Sequence, residues 1–196
     1  MKLRTLSLPI LAAGLLFGCN PDPSPPATPG GTAMPMTDNP RTADAAQTIM
    51  VYMNQVSTEG VGESAGTIII RQTADGLIFT PDLQGLAQGV HGFHIHQNPS
   101  CEAGIKDGVK QAAAAAGGHY DPTEKDQHAG PQGDGHQGDL PMILVDNAGA
   151  QQEVTINDLQ LDDLKNRSLV VHQRRDDYAS DPASDSGPPI ACGVIK

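Results

Sequence analysis

Seven histidines give this 196-residue chain its clearest chemistry. Three of them, His91, His94 and His96, fall in Val-His-Gly-Phe-His-Ile-His at 90–96. Along extended backbone, side chains two apart share a face, so His94 and His96 project together while Phe93 and Ile95 face the other way. Two imidazoles on a rigid strand suit one metal ion better than the same pair on a loop. The competing reading is a polar strand face whose histidines are coincidental. His172 lies in a second β-rich run, and His119, His128, His136 and Asp139 lie between residues 98 and 140. Imidazole suits copper and zinc, and zinc also takes carboxylate oxygen. The candidates thus form a strand set (His94, His96, His172) and a loop set (His128, His136, Asp139), with His119 after Gly117-Gly118 able to reach either. Six histidines and one carboxylate serve two four-coordinate metals only if one ligand is shared. A neutral imidazole offers one lone pair, so sharing needs a ring deprotonated at both nitrogens, which two adjacent dications stabilise.

The elements that must position these groups are short strands. Runs rich in β-branched residues at 48–53, 66–71, 77–79, 89–97, 142–145, 152–156, 168–172 and 191–195 are separated by turn signals such as Thr-Ala-Asp-Gly at 73–76 and Asp-Asn-Ala-Gly at 146–149. Eight such stretches predict an all-β, antiparallel sandwich or barrel. Helix is expected only briefly, at 111–116 and 158–165, and the alanines at 112–116 suggest packing over the loop rather than a site. Residues 98–140 are too long for a structureless connection unless something orders them. Their concentration of ligand-type side chains makes a metal that something.

Composition sets outer bounds. Twelve basic and 23 acidic residues give a net charge of −11, which argues against a nucleic-acid partner. Gly (22) and Pro (16) favour turns over long helices, and no apolar run reaches the roughly 20 residues of a membrane-spanning helix. Lys2 and Arg4 followed by the apolar residues 6–17 resemble an export signal. Leu-Phe-Gly-Cys at 16–19 resembles a bacterial lipoprotein signal over residues 1–18, in which Cys19 is lipidated and becomes the mature N-terminus; Phe17 is unusual there, and ordinary cleavage nearby is the alternative. Loss of residues 1–18 removes two basic groups and no acid, leaving the chain more acidic still. Residues 19–45 are rich in Pro, Thr, Gly and Ala and poor in large apolar groups, and so predict a flexible tether whose ends lie roughly 25–30 Å apart. The folded domain is expected from residue 46 to 196.

Several motifs in this domain resemble the Cu/Zn superoxide dismutases, especially their bacterial periplasmic and lipoprotein branch. They are HGFHIH at 91–96, NPSC at 98–101, GGHYDP at 117–122, HAGP at 128–131, GHQGDLP at 135–141, VVH at 170–172 and ACGVI at 191–195. The resemblance implies an eight-stranded Greek-key β-barrel with long metal-binding and electrostatic loops, working on superoxide with Cu and Zn as cofactors. By position, copper would be held by His94, His96, His119 and His172, and zinc by His119, His128, His136 and Asp139. His119 would bridge the metals and carry a catalytic proton. His91 would be structural, Asp176 would link a copper-site to a zinc-site histidine, and Cys101 and Cys192 would form a disulfide. A location in the cell envelope or periplasm follows, with membrane attachment through the lipid on Cys19. Relatives include monomers and dimers, so a homodimer stays open.

One position departs from the pattern. Three residues before Cys192, where the family carries an arginine beside copper, this chain has Pro189, which should weaken anion steering. Arg174 or Arg175 could compensate, or both could be solvated loop charges. Pro189 also keeps a second function in play, a copper/zinc binding or delivery protein with little catalysis.

Overall fold

The computed structural model describes residues 47–196, so the expected signal and tether, with Cys19, lie outside the described residues. Two long hairpins start the domain: β1 (Thr48–Ser57) turns into β2 (Gly60–Thr73), and β2 turns across Ala74-Asp75 into β3 (Gly76–Leu83). Their alternation is physical: Val51, Met53, Ile68, Ile70, Leu77, Phe79 and Leu83 are buried, whereas Met50 and Tyr52 point outward. A register shift near Met53 and Asn54 breaks that period, and Gly66 sits at the irregularity with φ +120. A Cβ there would fall 2.0 Å from the Asp82 carbonyl oxygen, so only glycine fits.

The expected strand at 89–97 is broken at Gly92 into β4 (Gly89–His91) and β5 (Phe93–His96). They belong to different ladders, because β4 pairs with β8 (Ile143–Val145) while β5 pairs with β10 (Ser168–His172). β11 (Pro189–Val194) lies between β10 and β1, and β9 (Val154–Ile156) closes the far side on β3. The resulting seven-stranded antiparallel sheet runs β5-β10-β11-β1-β2-β3-β9 and curls around one core, in which the Phe79 and Phe93 rings meet edge to face at 5.8 Å. The long loop carries its own hairpin, β6 (Gly104–Lys106) and β7 (Val109–Gln111), turned by Asp107-Gly108 with both φ positive. The broken strand and this hairpin raise the count among the described residues to eleven strands. The two expected helices are single 3₁₀ turns, Ala114–Ala116 and Leu161–Leu164.

A second apolar cluster lies outside the main core. Ala112, Ala113 and Ala116 pack with Val56, Val170, Cys101 and Cys192. Cys101 and Cys192 are disulfide-bonded across 91 residues with Cα atoms 5.7 Å apart, fastening the start of the long loop to β11.

Candidate metal centre

Both faces of β5 are buried. Phe93 and Ile95 enter the main core, as the alternation requires, and truncating either would cost about 2–5 kcal/mol. His94 and His96 take the opposite face, which the long loop covers. The loop is placed by backbone hydrogen bonds to β5: Tyr120 N–H donates to Ile95 O (2.8 Å), Gln97 N–H to Gly118 O (3.0 Å) and Ile95 N–H to Gly138 O (2.9 Å). These bonds set His119 beside His96 and Asp139 beside His94. Gly138 is required by the close approach, since a Cβ would lie 2.3 Å from Ile95 O.

The ring contacts fix which nitrogens are free. Carbonyls and carboxylates only accept, so any imidazole nitrogen bonded to one carries the proton. His96 Nδ1 donates to Gly117 O (2.9 Å) and His172 Nδ1 to Gly187 O (2.8 Å). His94 Nε2 and His128 Nε2 donate to the two oxygens of Asp176 (2.5 and 2.8 Å). That leaves His94 Nδ1, His96 Nε2 and His172 Nε2 as buried lone pairs without a hydrogen-bond partner, and His119 Nε2 joins them. Together His94, His96, His119 and His172 place one donor atom each within 4.8 Å of one another. A second group with the same closeness is His119, His128, His136 and Asp139. There His119 Nδ1 donates to Asp139 Oδ1 (2.8 Å), a proton that a bound cation would displace, and His128 Nδ1 lies 3.0 Å from Asp139 Oδ2. His128 Nδ1 and His136 Nδ1 lack hydrogen-bond geometry and face the shared centre instead. Four inward nitrogens on one side and three nitrogens plus a carboxylate on the other are the donor sets that copper and zinc favour. A third triad, His94, His128 and Asp176, is closed by its own hydrogen bonds, since both ring nitrogens that meet Asp176 are donors and offer no lone pair there.

Electrostatics separates the two sets. Burial holds His94 and His96 well below the usual imidazole range and lowers His119, and burial brings His172 down to about 4. At neutral pH the strand set is therefore uncharged, with its lone pairs ready for a metal. Burial would also depress His128, but close contact with Asp139 (3.0 Å), the hydrogen bond to Asp176 and the charge of both carboxylates outweigh it and raise the ring to about 9. Burial works to raise both carboxyls, yet their histidine donors hold Asp139 and Asp176 well below the carboxylate range.

The remaining sequence candidates also have definite places. His91 puts both ring nitrogens on backbone carbonyls, Nδ1 on His172 O (2.7 Å) and Nε2 on Ala87 O (2.8 Å), so it braces β4 against β10 and offers no ligand atom. Pro189 stands opposite His172 in the β10–β11 register. Arg174 is paired with Asp185, while Arg175 is exposed. Sequence reasoning missed the carbonyls of Gly117 and Gly187, which carry no side-chain signal. It also missed Asp181, whose carboxylate accepts the His128 backbone N–H at 2.7 Å.

A model of the family described as copper/zinc superoxide dismutase (SODC) matches residues 64–195. Superoxide dismutase [Cu-Zn] 2 of Salmonella typhimurium is 49% identical over 150 residues, covering 74% of this chain and 87% of the relative. The Cu/Zn superoxide dismutase from Brucella abortus superimposes with a TM-score of 0.72 at 42% identity, covering 76% of this chain and 100% of that one. The monomeric copper, zinc superoxide dismutase from Salmonella enterica does so with a TM-score of 0.67 at 45% identity, with the same coverage. The chain belongs to the copper/zinc superoxide dismutases, oxidoreductases that disproportionate superoxide with copper and zinc as cofactors.

Proposed function

We propose that His94, His96, His119 and His172 hold the copper at which superoxide reacts, and that His119, His128, His136 and Asp139 hold the neighbouring zinc. One observation carries this assignment: the four buried nitrogens His94 Nδ1, His96 Nε2, His119 Nε2 and His172 Nε2 lack any other partner. Bound copper supplies one-electron chemistry, by which two superoxide anions and two protons become dioxygen and hydrogen peroxide. Around it, Gly117 O and Gly187 O fix the His96 and His172 tautomers, and Asp176 fixes those of His94 and His128. His119 Nε2 is the proton position, taking a proton when that nitrogen is free and releasing it to the peroxide. His96 and His172, each 6% exposed, are the most exposed of these four histidines and mark the side from which superoxide would approach.

The test is metal analysis and a superoxide assay on one sample. One copper and one zinc per chain, with activity lost in His119→Ala, support the assignment. Full copper with a very slow wild-type rate would instead favour the binding or delivery reading, for which Pro189 beside His172 is the supporting feature.

The reading extends to the cell envelope. Residues 1–18 act as a lipoprotein-type signal, Cys19 carries the lipid, and residues 19–45 tether the domain to a membrane. The Leu-Phe-Gly-Cys run supports this, as does the Cys101–Cys192 disulfide, which needs an oxidising compartment. Among the described residues no helix is long and apolar enough to cross a membrane. Labelling with a radioactive fatty acid should mark the wild type and not Cys19→Ser. A homodimer is supported by the exposed cross-strand pair Val90 (43%) and Leu144 (47%) on the β4–β8 ladder, and sedimentation velocity decides it.

A further inference from the structure

A metal pair this deeply buried must still be loaded. None of the seven ligand residues is more than 8% exposed, so an ion reaches its place only if a side chain moves. The outer hydrogen bonds show which side chains resist. His96 and His172 are tied to Gly117 O and Gly187 O, and His94 and His128 to the two oxygens of Asp176. Asp139 accepts from His119 Nδ1 and from the Ala129 N–H (3.2 Å). His136 is the exception. Its Nδ1 is buried, lacks a hydrogen-bond partner and belongs to the zinc group, while its Nε2 meets no partner among the described residues. At 8% it is also the most exposed of the seven. Its ring can therefore turn without breaking a hydrogen bond among these residues.

His136 also lines a pocket. Thr123, Lys125, Asp134, Gln137, Ile156 and Asp158 surround a cavity of about 280 Å³ beside it. The backbone there is fixed: His136 N–H donates to Gln127 O (3.0 Å), and a Cβ on Gly135 would lie 2.6 Å from that same oxygen. The loop is thus packed against itself at His136, and the ring is the mobile part. Two of the lining residues, Lys125 and Asp134, are paired with each other. Lys125 stands between Glu124 and Asp126, whose φ values of 52 and 51 are ones that L-residues seldom adopt. The Asp126 N–H donates to Asp121 Oδ2 (2.8 Å), which holds this turn. The Asp134 side chain is 90% exposed, so water competes for the pair and it opens readily. Once open, Asp134 and Asp158 present carboxylates to an arriving dication, in a chain whose net charge of −11 favours cations.

We propose that zinc enters and leaves through this pocket, with the His136 ring as the door and the Lys125–Asp134 pair as its latch. The proposal rests on the zinc assignment above. His136 is the last ligand to close on the ion and the first to leave it, while His128 and Asp139 stay in place on their other hydrogen bonds. Lys125 and Asp134 are positioning residues that set access and contribute no ligand to the zinc group. Two properties follow from the geometry. Loss of the latch should speed uptake and release together and leave affinity nearly unchanged, whereas a merely looser loop would speed release alone. The route also bypasses the copper group, so filling that group should not slow zinc uptake.

The experiment uses the full chain loaded with copper(I), which is colourless, and follows two rates. Uptake is read with cobalt(II), a zinc substitute whose visible absorption marks four-coordinate binding. Release is read from the zinc-loaded protein with an excess of a chromophoric chelator. Wild type is compared with Lys125→Ala, Asp134→Ala and Gln137→Trp, the last of which fills the pocket. Each latch variant should raise both rates roughly 3-fold, the size that an exposed ion pair allows. Lys125→Ala should gain more in uptake, because it also removes a charge that repels the ion. Gln137→Trp should slow both rates by at least about 5-fold. Unchanged rates in all three variants would overturn the proposal. So would faster release without faster uptake in the latch variants. Cobalt uptake about 10-fold slower in the copper(I)-filled chain than in the metal-free chain would overturn it too, because the ion would then arrive through the copper group. The cobalt spectrum of the wild type, lost in His136→Ala, verifies the zinc group beforehand, so a wrong route is distinguishable from a wrong site.

Discussion

The strand-held and loop-held halves of the metal centre solve the same problem by opposite means. His94, His96 and His172 stand on β5 and β10, whose ladder and core packing fix them whether or not a cation is present. They are buried and neutral, and each has a carbonyl or carboxylate on its outer nitrogen. His128, His136 and Asp139 stand on a loop stitched together by charge: a carboxylate, an imidazole raised to about 9 and the second carboxylate Asp176. The strand half is thus organised in advance, and the loop half holds itself by ion pairing that zinc would replace. A redox metal gains from rigid ligands, because little has to move when its charge changes. A structural metal can do the ordering itself.

The largest test of this contrast is to remove one ligand from each half. His94→Ala should abolish dismutation, by at least about 1,000-fold, while leaving the circular dichroism of the sheet and the bound zinc nearly unchanged. His136→Ala should keep copper and a measurable rate but release zinc and speed amide exchange over residues 121–137. The amides of Tyr120, Gly138 and Leu140 should stay protected in that variant, because they donate to the carbonyls of Ile95, Tyr120 and Phe93 and not within residues 121–137. Zinc loss in His94→Ala equal to that in His136→Ala would show that the halves are not independent.

Next in size is the disulfide. It ties the loop to β11 across 91 residues, and replacing both cysteines by alanine should cost about 4–5 kcal/mol of unfolding free energy on the loop-entropy account. Denaturant titration measures this. The midpoint should fall in the metal-free and metal-loaded forms alike, with the larger fall in the metal-free form, whose loop has fewer other constraints.

Acid and base should separate the halves in the metal-free protein. His172 titrates at about 4 when folded and at 6.5 in the unfolded reference, so between those values the unfolded chain binds more protons. Stability therefore falls as pH drops from 6.5 to about 4, by on the order of 3 kcal/mol from this group. His128 has the opposite sign: raised to about 9, its contribution is present below 6.5 and is lost as pH rises through 9. Thermal unfolding against pH should show both limbs. His172→Gln should shrink the acid limb without abolishing it, because His94, His96 and His119 are lowered as well, and should leave the alkaline limb in place. An alkaline limb unchanged in His128→Gln would refute the ion-paired description of the loop half.

What the sequence made legible follows the same divide. The His94/His96 pair and the opposed Phe93 and Ile95 came from alternation, and the eight β stretches from β-branched runs between turn signals, all of which depend only on neighbouring residues. The break at Gly92 did not, because it reflects which partner strand each half meets. β1 and β2 extend past the expected runs because Gly60 to Ser64 carry little apolar signal and are held by pairing with β1. Asp107-Gly108 was a visible hairpin signal, masked by the expectation that the whole loop folds on metal. The ligand assignment depended on resemblance, since spacing alone left His119 free to join either set. The docking of 118–120 and 138–140 on β5 is a backbone event with no signature in side-chain pattern.

The smallest expected effect comes from the residue that joins the halves. Asp176 is 1% exposed and accepts from His94 Nε2 with one oxygen and from His128 Nε2 with the other. Oδ1 accepts also from the Tyr178 N–H at 2.8 Å. In Asp176→Asn one of those oxygens becomes an NH₂ donor facing an N–H donor. One ring must change tautomer, which moves its lone pair from the inward Nδ1 to Nε2 and off its metal. Oδ1 serves two donors, so the amide oxygen keeps that place and the NH₂ faces His94 Nε2. The cost should therefore fall on the copper half, even though β5 holds the His94 backbone. Copper affinity is expected to drop about 10–100-fold and zinc affinity by less than about 5-fold, as chelator competition would measure. A larger loss at zinc would mean that His128 depends on the charge of Asp176 more than His94 depends on its hydrogen bond, as an ion-paired loop half beside a strand-fixed copper half would require.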